Sequence, residues 1–295
     1  MKNRTKPLIS VIINCFNGQK FLKKTLSSLR KQTYKNWELI FWDNHSTDNS
    51  KKIFKTFKDK RFKYFKSKSH SALYDARNKA VKKSKGEFLC FLDCDDWWVS
   101  TKLEEQIKLF NKKNIGLVYS KLFIFSEKNK KKKVFKKIAH SGFITEKILQ
   151  DHSIGFVTAL IRKKSYLSVK GFNSKYNISG DFDFILKISL RWKILCCDKI
   201  LAYYRIHQNN LSKKMRSAEI KELENILKSG ILVKTRFKKL LRNFINYKKI
   251  LLQIDEGKFF LALKNILIYP LTIKKIKLFA TLCLPSFIQN SIKFS

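Results

Sequence analysis

Three aspartates stand together at the end of an apolar run in FLDCDDWW (residues 91–98), in a 295-residue chain with a net charge of +42 and only 22 acidic residues. One residue separates Asp93 from Asp95, so both carboxylates can turn toward a common point once the chain leaves the strand. Mg²⁺ and Mn²⁺ suit such oxygen ligands and often bind through one or two carboxylates and substrate phosphates. The alternative is a loop in which Asp93 to Asp96 cap the next helix, because D-x-D alone is a common pattern.

The apolar pattern around these acids predicts strands that alternate with helices. Short β-branched and aromatic runs indicate strands in LISVIINCF, WELIFWD, RFKYFK and EFLCFLD. Helical periodicity occurs in QKFLKKTLSSLRKQ, STDNSKKIFKTFKD, SALYDARNKAVKKSKG and STKLEEQIKLFNK, and the second begins with the cap-type residues Ser46, Thr47 and Asp48. Nearly continuous apolar strands between helices indicate a parallel sheet covered on both faces. Ligands bind such sheets beyond the carboxyl ends of the strands, so we expect Asp43 and Asp93 to face one crevice.

The pattern changes after about residue 110. IGLVYSKLFIFSE predicts a longer strand that leads to the lysine run 130–133, which we interpret as an exposed hairpin tip. From about 134 to 210, predicted strands near FVTALI and KILAYYRIH with the helix DFDFILKISLRW between them indicate an α+β half.

The chain after about residue 212 is predicted to be helical and basic. Residues 211–295 hold 18 Lys and Arg against 5 Asp and Glu, and their apolar segments are too short to span a bilayer. Basic amphipathic helices of this kind can lie on an anionic membrane surface. The alternative is a helical appendage that packs on the main domain and exposes its lysines.

Composition favours a folded protein in a reducing compartment. Hydrophobic residues make up 44% of the chain, and 9 Gly and 3 Pro are too few for a low-complexity or disordered sequence. The six cysteines have no spacing typical of zinc sites or a disulfide framework, and the N-terminus is predicted to be a strand, not a signal peptide. The charge favours a polyanionic partner such as nucleic acid, anionic lipid or a phosphorylated substrate, or else reflects coding composition and solubility.

Short motifs that follow one another at suitable distances make residues 9–110 resemble the family 2 glycosyltransferases with the GT-A fold. SVIINCFNGQKFLKKTLSSLRKQTYKNWELIFWDNHSTDNS is similar to the opening block of that family, and ARNKAVKKSKGEFLCFLDCDDWW is similar to its second block. Beyond residue 110 the resemblance rests on SGDFDFILKIS and YRIHQNNLS, and it ends near residue 212.

The resemblance implies an α/β fold with a Rossmann-like, mostly parallel sheet flanked by helices. Residues 1–211 would form the catalytic domain, with a nucleotide-sugar-binding half (about 1–110) and an acceptor-binding half (about 111–211). Residues 212–295 would be a basic helical extension, which either associates with a membrane or packs on the main domain.

The resemblance also implies a donor site at the strand ends. It assigns Asp43 to the uracil or ribose of the donor, and a carboxylate can accept hydrogen bonds from either. Arg77 would face the diphosphate through charge-assisted hydrogen bonds, and Asp93 would bind ribose or a metal-bound water. The end of the first strand would complete this site with Cys15, Phe16 and Asn17. The alternatives are that Asp43 is a turn residue before a cap and that Arg77 is a surface arginine on a helix.

A divalent cation and a general base complete what the resemblance implies. Asp95 would hold Mn²⁺ or Mg²⁺ between the two phosphates, where the cation offsets charge on the leaving diphosphate. His207 looks like the late histidine that reaches the metal in some family members. Asp181, directly after Gly180, occupies the family's base position for inverting transfer, with Asp183 and a plain helix-capping role as alternatives.

Two local features leave alternatives open. The family commonly has Pro-Thr-Tyr where this chain has Asn14, Cys15 and Phe16, which leaves the donor less certain. We interpret Cys94 as a structural filler, and Trp97 and Trp98 either stack on a sugar or pack in the core, with the core favoured.

The predicted function is inverting transfer of a sugar from a UDP-linked donor to an acceptor hydroxyl of a glycan or lipid-linked saccharide, in the cytoplasm at the cytosolic membrane face. A nucleic-acid-binding protein is an alternative, since lysines alternate with aromatic residues in RFKYFKSKSH, but it leaves the ordered aspartates unexplained. A nucleotidyltransferase is another, although a glycine-rich phosphate loop is not evident.

Overall fold

The computed structural model describes residues 6–135, 139–151, 154–210 and 215–283. The chain divides into two compact units. Residues 1–145 and 153–208 form the first, here called the sheet unit, and residues 146–152 and 209–295 form the second, the helical unit. The predicted domain boundary between residues 211 and 212 lies outside the described residues.

Strands and helices alternate through the first two thirds of the chain. In order along the described residues they are β1 (Ile9–Cys15), α1 (Gln19–Arg30), β2 (Trp37–Asp43), α2 (Ser50–Lys55), β3 (Phe62–Lys66), α3 (Leu73–Val81), β4 (Phe88–Phe91), β5 (Trp97–Trp98), α4 (Lys102–Ile107), β6 (Ile115–Ser126), β7 (Lys132–Phe135), α5 (Thr145–Gln150), a 3₁₀ turn (Phe156–Thr158), β8 (Leu160–Arg162), α6 (Lys163–Ser168), α7 (Gly180–Ser189) and β9 (Lys193–Ile206).

One sheet joins the strands of the sheet unit in the order β3-β2-β1-β4-β8-β6-β9-β5, with β7 paired to β6. The first four strands are parallel to one another, and β6 is parallel to β9. β8 joins the two groups and is antiparallel to both β4 and β6. The α/β prediction is therefore confirmed, and so is the mixed character of the second half.

The buried strands explain why the sequence has almost continuous apolar runs. Every residue of β1 and β2 is buried, as expected for strands of a parallel sheet with both faces covered. The core on one face includes Val11, Leu26, Leu39 and Leu103. Because β1, β2 and β4 are parallel, their carboxyl ends lie along the same edge of the sheet.

Several predicted elements have different bounds in the structure. Helix α2 begins at Ser50, after the predicted cap residues Ser46, Thr47 and Asp48, and β9 begins at Lys193, six residues before the predicted segment KILAYYRIH. The predicted strand FVTALI is half wrong, because Phe156–Thr158 forms a 3₁₀ turn and only Leu160–Arg162 is a strand. Side chains outside this segment hold the turn: the Trp98 indole N–H donates to the carbonyl of Val157 at 2.9 Å, and Gln106 Nε2 donates to that of Thr158 at 2.8 Å.

Other predicted features are confirmed. β6 and β7 form a hairpin, and of the lysine run 130–133 only Lys130 and Lys131 lie in the exposed connection, whereas Lys132 and Lys133 belong to the second strand. Trp97 and Trp98 are core residues with 9% and 3% of their surface exposed, and Trp97 stacks on Tyr203 with ring centroids 4.7 Å apart.

The helical unit consists largely of helices, as predicted for the extension. They are α8 (Arg216–Lys228), α9 (Thr235–Asp255), α10 (Phe259–Ile268) and α11 (Ile273–Cys283). The last three share a small apolar core that includes Ile250, Ile254, Ala262, Ile266 and Leu278. No helix of the described residues is long and apolar enough to cross a bilayer.

Candidate functional site

The predicted acids lie along the edge formed by the carboxyl ends of β1, β2 and β4. Parallel pairing places Cys15 opposite Asp43 at the last position of β1 and β2. β4 pairs with the other side of β1, and the N–H of Leu92 still donates to the carbonyl of Ile12 at 3.0 Å. Asp93 therefore leaves the sheet beside the end of β1, on the same edge as Asp43.

The loops after β1 and β2 bind each other. Asn17 has a φ of +52°, a region that Asn tolerates, and its Oδ1 accepts a hydrogen bond from the N–H of Thr47 at 2.9 Å. The N–H of Asn17 donates to Ser46 Oγ at 3.1 Å, and the N–H of Gln19 donates to Asp48 Oδ2 at 2.9 Å. Asp48 Oδ1 also accepts the N–H at the start of α2, as a cap residue does. Ser46 and Thr47, predicted as caps, instead hold the two loops together.

At the end of β1, the side chain of Phe16 is exposed and that of Cys15 is buried. Phe16 is 50% exposed, and its ring centroid lies 4.3 Å from that of His70. Cys15 is fully buried, and its carbonyl accepts the N–H of Asn44 at 2.7 Å. A Cβ built on Gly18 would lie 2.8 Å from Cys15 Sγ and 2.9 Å from Cys94 Sγ. Cys94 thus fills space, as predicted, and position 18 accepts only glycine, which the sequence alone did not indicate.

Asp43 is the last residue of β2 and has 1% of its surface exposed. One carboxylate oxygen accepts the N–H of Ser46 at 2.8 Å, and the other accepts a short hydrogen bond from the hydroxyl of Tyr64. Burial and then the Asp43 carboxylate raise the pKa of Tyr64. The contact with Ser46 is the turn geometry that was the alternative role for Asp43. Tyr64 was not predicted, and its only signal was its place in the short strand after Asp43.

Arg77 is buried and holds Asp93. Its guanidinium donates to Asp93 Oδ1 at 2.6 Å, and the side chains are 4% and 39% exposed. Aromatic rings surround the guanidinium, including Tyr74 and Phe156 at 5.5 and 5.1 Å. Burial opposes the charge of Arg77, but Asp93 and other nearby groups outweigh this effect and raise the pKa of the guanidinium. The alternative of a surface arginine is wrong.

Asp95 and His207 are in direct contact. Asp95 Oδ2 lies 2.9 Å from His207 Nε2, although the two residues are 112 positions apart in sequence. The Phe21 ring packs on His207 with centroids 5.1 Å apart. The structure thus brings together the two residues to which the family resemblance assigns the metal.

Asp96 does not cap α4, so the alternative interpretation of this residue as a helix cap is wrong. Asp96 is buried, and its Oδ1 accepts the N–H of Arg205 at 2.8 Å. Burial, and then the charges of Asp95 and Asp93, raise the pKa of Asp96. Arg205 Nε also donates to the carbonyl of Asp95 at 2.8 Å. Arg205 therefore fixes the loop that carries Asp95, a role that the sequence did not reveal although Arg205 stands two residues before His207.

A basic pocket of about 440 Å³ opens beside this loop, and its lining includes Lys20, Lys24, Glu127 and Arg205. Lys24 Nζ lies 3.5 Å from the centre of the Trp97 ring. Burial, followed by the charge of Arg205, lowers the pKa of Lys24. This wall of the site is therefore rich in cations.

The two candidate bases on α7 have different surroundings. Asp183 is 2% exposed and pairs with Lys187 at 2.5 Å. Asp181 is half-buried at the first turn, where its charge acts on both Arg77 and Tyr74. The Tyr74 hydroxyl donates to the carbonyl of Ile178 at 2.9 Å, which fixes the chain just before α7. Asp181 is therefore near the residue that holds Asp93, whereas Asp183 is directed into the protein.

The family model described as glycosyl transferase family 2 matches residues 10–169 of this chain. The chain belongs to glycosyl transferase family 2. One relative is the UDP-Glc:alpha-D-GlcNAc-diphosphoundecaprenol beta-1,3-glucosyltransferase WfgD of Escherichia coli, which is 32% identical over 219 residues, or 74% of this chain and 83% of the relative. The protein is therefore a glycosyltransferase.

Solved structures show that this family 2 member has the GT-A fold. TarS 1–349 of S. aureus in complex with UDP-GlcNAc superimposes with a TM-score of 0.70 at 19% identity, over 97% of this chain and 91% of TarS 1–349. The mannosyltransferase PcManGT of Pyrobaculum calidifontis, in complex with GDP-Man and Mn²⁺, gives a TM-score of 0.67 at 14% identity, over 99% of this chain and 84% of PcManGT.

The side chains of Asp93, Asp95 and His207 suit a divalent cation that takes its remaining ligands from substrate phosphates. No group of three or more His, Cys, Asp or Glu side chains within the described ranges is arranged to hold a metal alone. Asp95 and His207 offer two converging ligand atoms, and Asp93 lies two residues from Asp95. Mg²⁺ and Mn²⁺ need only one or two protein ligands where substrate phosphates supply the others.

Proposed function

We propose that this glycosyltransferase moves a sugar, with inversion, from a UDP-sugar to an acceptor hydroxyl of a glycan or lipid-linked saccharide in cell-envelope synthesis, with Mn²⁺ or Mg²⁺. The observation that carries the proposal is the approach of Asp95 to His207, 2.9 Å apart on the sheet edge that also holds Asp93. Asp95 and His207 would hold the cation, which when bound offsets the charge on the leaving diphosphate.

The donor would lie along the crevice with its base against Phe16. Half of the Phe16 surface is exposed, and an aromatic ring can stack on a base. Asp43 would accept from the base or the ribose through lone pairs that its two protein partners leave free, since a carboxylate has about four acceptor positions. Asn17 would fix the loop, and Cys15 would contribute its backbone, because its side chain is buried. TarS binds a UDP-sugar on a similar fold, which supports this choice of donor.

Arg77 would act on the donor through Asp93. It occupies Asp93 Oδ1, which leaves Oδ2 to bind ribose or a metal-bound water. We therefore assign Arg77 a positioning role in place of the direct diphosphate contact that the resemblance implies.

Asp181 would serve as the general base. Its carboxylate would take the proton of the acceptor hydroxyl while the acceptor oxygen bonds to the anomeric carbon. The bond from that carbon to the diphosphate oxygen breaks, and its electron pair leaves with the diphosphate. The position of Asp181 at the open end of α7 supports this role over Asp183, which is buried and paired with Lys187.

The acceptor would be a lipid-linked saccharide reached from the cytoplasm. WfgD is named for an acceptor that is a sugar diphosphate lipid. All six cysteines of this chain are free thiols, which fits a reducing compartment. We place the enzyme at the cytosolic face of a membrane, in peripheral contact through its basic C-terminal helices.

A screen of UDP- and GDP-sugars, with Mn²⁺, with Mg²⁺ and with EDTA, tests this proposal by the release of nucleoside diphosphate. We expect release from a UDP-sugar only with metal, and Asp95→Asn should reduce it by about 10²-fold or more, as for loss of a group that stabilises transition-state charge. Asp198→Asn is the matched control, because Asp198 is 74% exposed and pairs only with Lys121 among the contacts described.

Full activity of Asp95→Asn or of the enzyme in EDTA would contradict the metal role. Release of pyrophosphate would support the nucleotidyltransferase alternative. A mobility shift with DNA in the absence of any nucleotide-sugar binding by calorimetry would support the nucleic-acid alternative.

A further inference from the structure

Large apolar side chains are exposed on α10, on the segment that follows it and at the start of α11. Among the described residues, nine within residues 259–276 are at least 37% exposed: Phe259, Phe260, Leu261, Leu263, Leu267, Ile268, Leu271, Ile273 and Ile276. This group is here called the apolar surface. Single exposed apolar residues are normal, but a contiguous group marks an interaction site.

Helix α10 already has its internal packing on another face. Ala262 and Ile266 are buried in the core of the helical unit. Phe260, Leu263 and Leu267, at positions i, i+3 and i+7, are 86%, 37% and 61% exposed. The helix is thus apolar on both its inner and its outer face, a pattern that requires cover on both sides.

Lysines surround the apolar surface, and acids are absent from it. Residues 258–283 contain five lysines and no Asp or Glu: Lys258, Lys264, Lys274, Lys275 and Lys277. Lys258 pairs with Glu256, whereas neither Lys264 nor Lys277 forms an ion pair with any other described residue. Lys264 projects from α10 between Phe260 and Leu267, where its aliphatic stem can lie along the apolar side chains while its amine reaches outward.

This combination selects one kind of partner. A second copy of the same surface would bring five more lysines against these five, and like charges oppose that contact. An anionic bilayer offers acyl chains for the apolar side chains and phosphate groups for the lysines in one surface.

We propose that α10 lies in the plane of an anionic membrane surface, with Phe260, Leu263 and Leu267 inserted at the acyl-chain boundary and Lys264 and Lys277 against lipid phosphates. The benefit to catalysis rests on the proposed function, since a lipid-linked acceptor is concentrated at that surface. The binding itself can be measured without any donor or acceptor.

Sedimentation with vesicles tests the proposal on the full chain. The probes are vesicles of phosphatidylglycerol with phosphatidylcholine, and vesicles of phosphatidylcholine alone, both in EDTA. We expect binding to the anionic vesicles and weaker binding to the neutral ones. Phe260→Ser with Leu267→Ser should weaken anionic binding about 10-fold or more, because two large apolar side chains would no longer be buried among the acyl chains.

The sheet unit supplies a matched control. Phe143 and Leu167 are 65% and 60% exposed, so Phe143→Ser with Leu167→Ser removes the same side-chain types from comparable exposure. Vesicle binding of this control should remain within about twofold of the wild type, as expected for surface substitutions away from a contact.

Three results would overturn the proposal: no binding to anionic vesicles, an equal loss in both double variants, or a dimer in analytical ultracentrifugation that Phe260→Ser dissociates. Calorimetry of UDP-sugar binding on the same variants separates this proposal from the proposed function. Intact donor binding with no vesicle binding would reject only the membrane surface, whereas absent donor binding with normal vesicle binding would reject only the proposed function.

Discussion

The sheet unit and the helical unit expose opposite kinds of side chain. Of the 14 large hydrophobic residues that are exposed in the described chain, ten lie in the helical unit. The sheet unit exposes only four of them and instead brings Asp93 and Asp95, each with a charged or titratable partner, to one edge of its sheet. Water and polar ligands suit the first unit, and an apolar partner suits the second.

The difference shows that the exposed groups of the two units are stabilised in different ways. Charges at the crevice are stabilised by specific partners, such as Arg77 for Asp93, because a charged group out of water needs a partner. Exposed Phe260 and Leu267 need no specific partner, because burial in any apolar environment lowers their free energy. Substitutions in the sheet unit should therefore alter chemistry or stability without altering vesicle binding.

The largest effect is expected from Asp181→Asn. Loss of a general base reduces turnover by about 10²–10⁴-fold, because the acceptor hydroxyl then keeps its proton in the transition state. The kcat for transfer should fall by this factor, and the dissociation constant of the UDP-sugar in calorimetry should stay the same. Vesicle binding should also be unchanged.

A normal kcat in Asp181→Asn would show that this carboxylate is not the base. A loss of donor affinity by the same factor would place Asp181 in donor binding instead. Either result would weaken the distinction between chemistry in one unit and membrane contact in the other.

The second effect in size is that of Arg77→Gln. The hydrogen bond to Asp93 is charge-assisted, so its loss should lower the free energy of unfolding by about 1–3 kcal/mol in urea titrations. Donor affinity should fall about 10-fold as Asp93 loses its orientation, and Arg77→Lys should recover part of it.

Arg61→Gln is the matched control for Arg77→Gln. Arg61 also pairs with an aspartate, Asp59, at 2.7 Å, but the Arg61 side chain is 26% exposed. Its loss should cost less than about 1 kcal/mol, as for exposed ion pairs, and should leave donor affinity unchanged. Equal effects of the two substitutions would contradict a positioning role for Arg77.

Local patterns in the sequence were enough to predict much of the sheet unit. The apolar runs placed β1, β2 and β4, and the strand ends placed Asp43 and Asp93 on one edge. The positions of Asp95 and His207 were predicted through the family motifs, and the structure brings their side chains together.

Features that depend on distant partners could not be predicted. Whether Ser46 binds a helix or a loop depends on Asn17, which is 29 residues away in sequence. The hydrogen bond from Arg205 to the carbonyl of Asp95 joins residues 110 positions apart, and no local sequence pattern indicates it. The exposure of Phe260 also depends on how α10 packs, since the same apolar run suits a buried helix equally well.

The smallest effect on transfer is expected from Asp183→Asn, two residues from Asp181 on the same helix. Asp183 is buried and does not face the crevice, so kcat should remain within about threefold of the wild type. Its effect should appear in the pH dependence of stability, because burial raises the pKa of Asp183 despite the opposing influence of Lys187.

The sign of that dependence follows from proton binding. An unfolded aspartate has a pKa of about 3.9, and the folded pKa of Asp183 is higher, so between the two values the folded chain binds more protons. Stability from this group is present below pH 4 and is lost as pH rises through the folded pKa. The Asp183→Asn variant lacks that loss, so urea unfolding should show its stability rising relative to the wild type as pH increases from about 4 through the folded pKa of Asp183. If the stability of Asp183→Asn instead fell relative to the wild type as pH rose, the ion pair with Lys187 would outweigh burial. The contrast between Asp183 and Asp181 would then need another explanation.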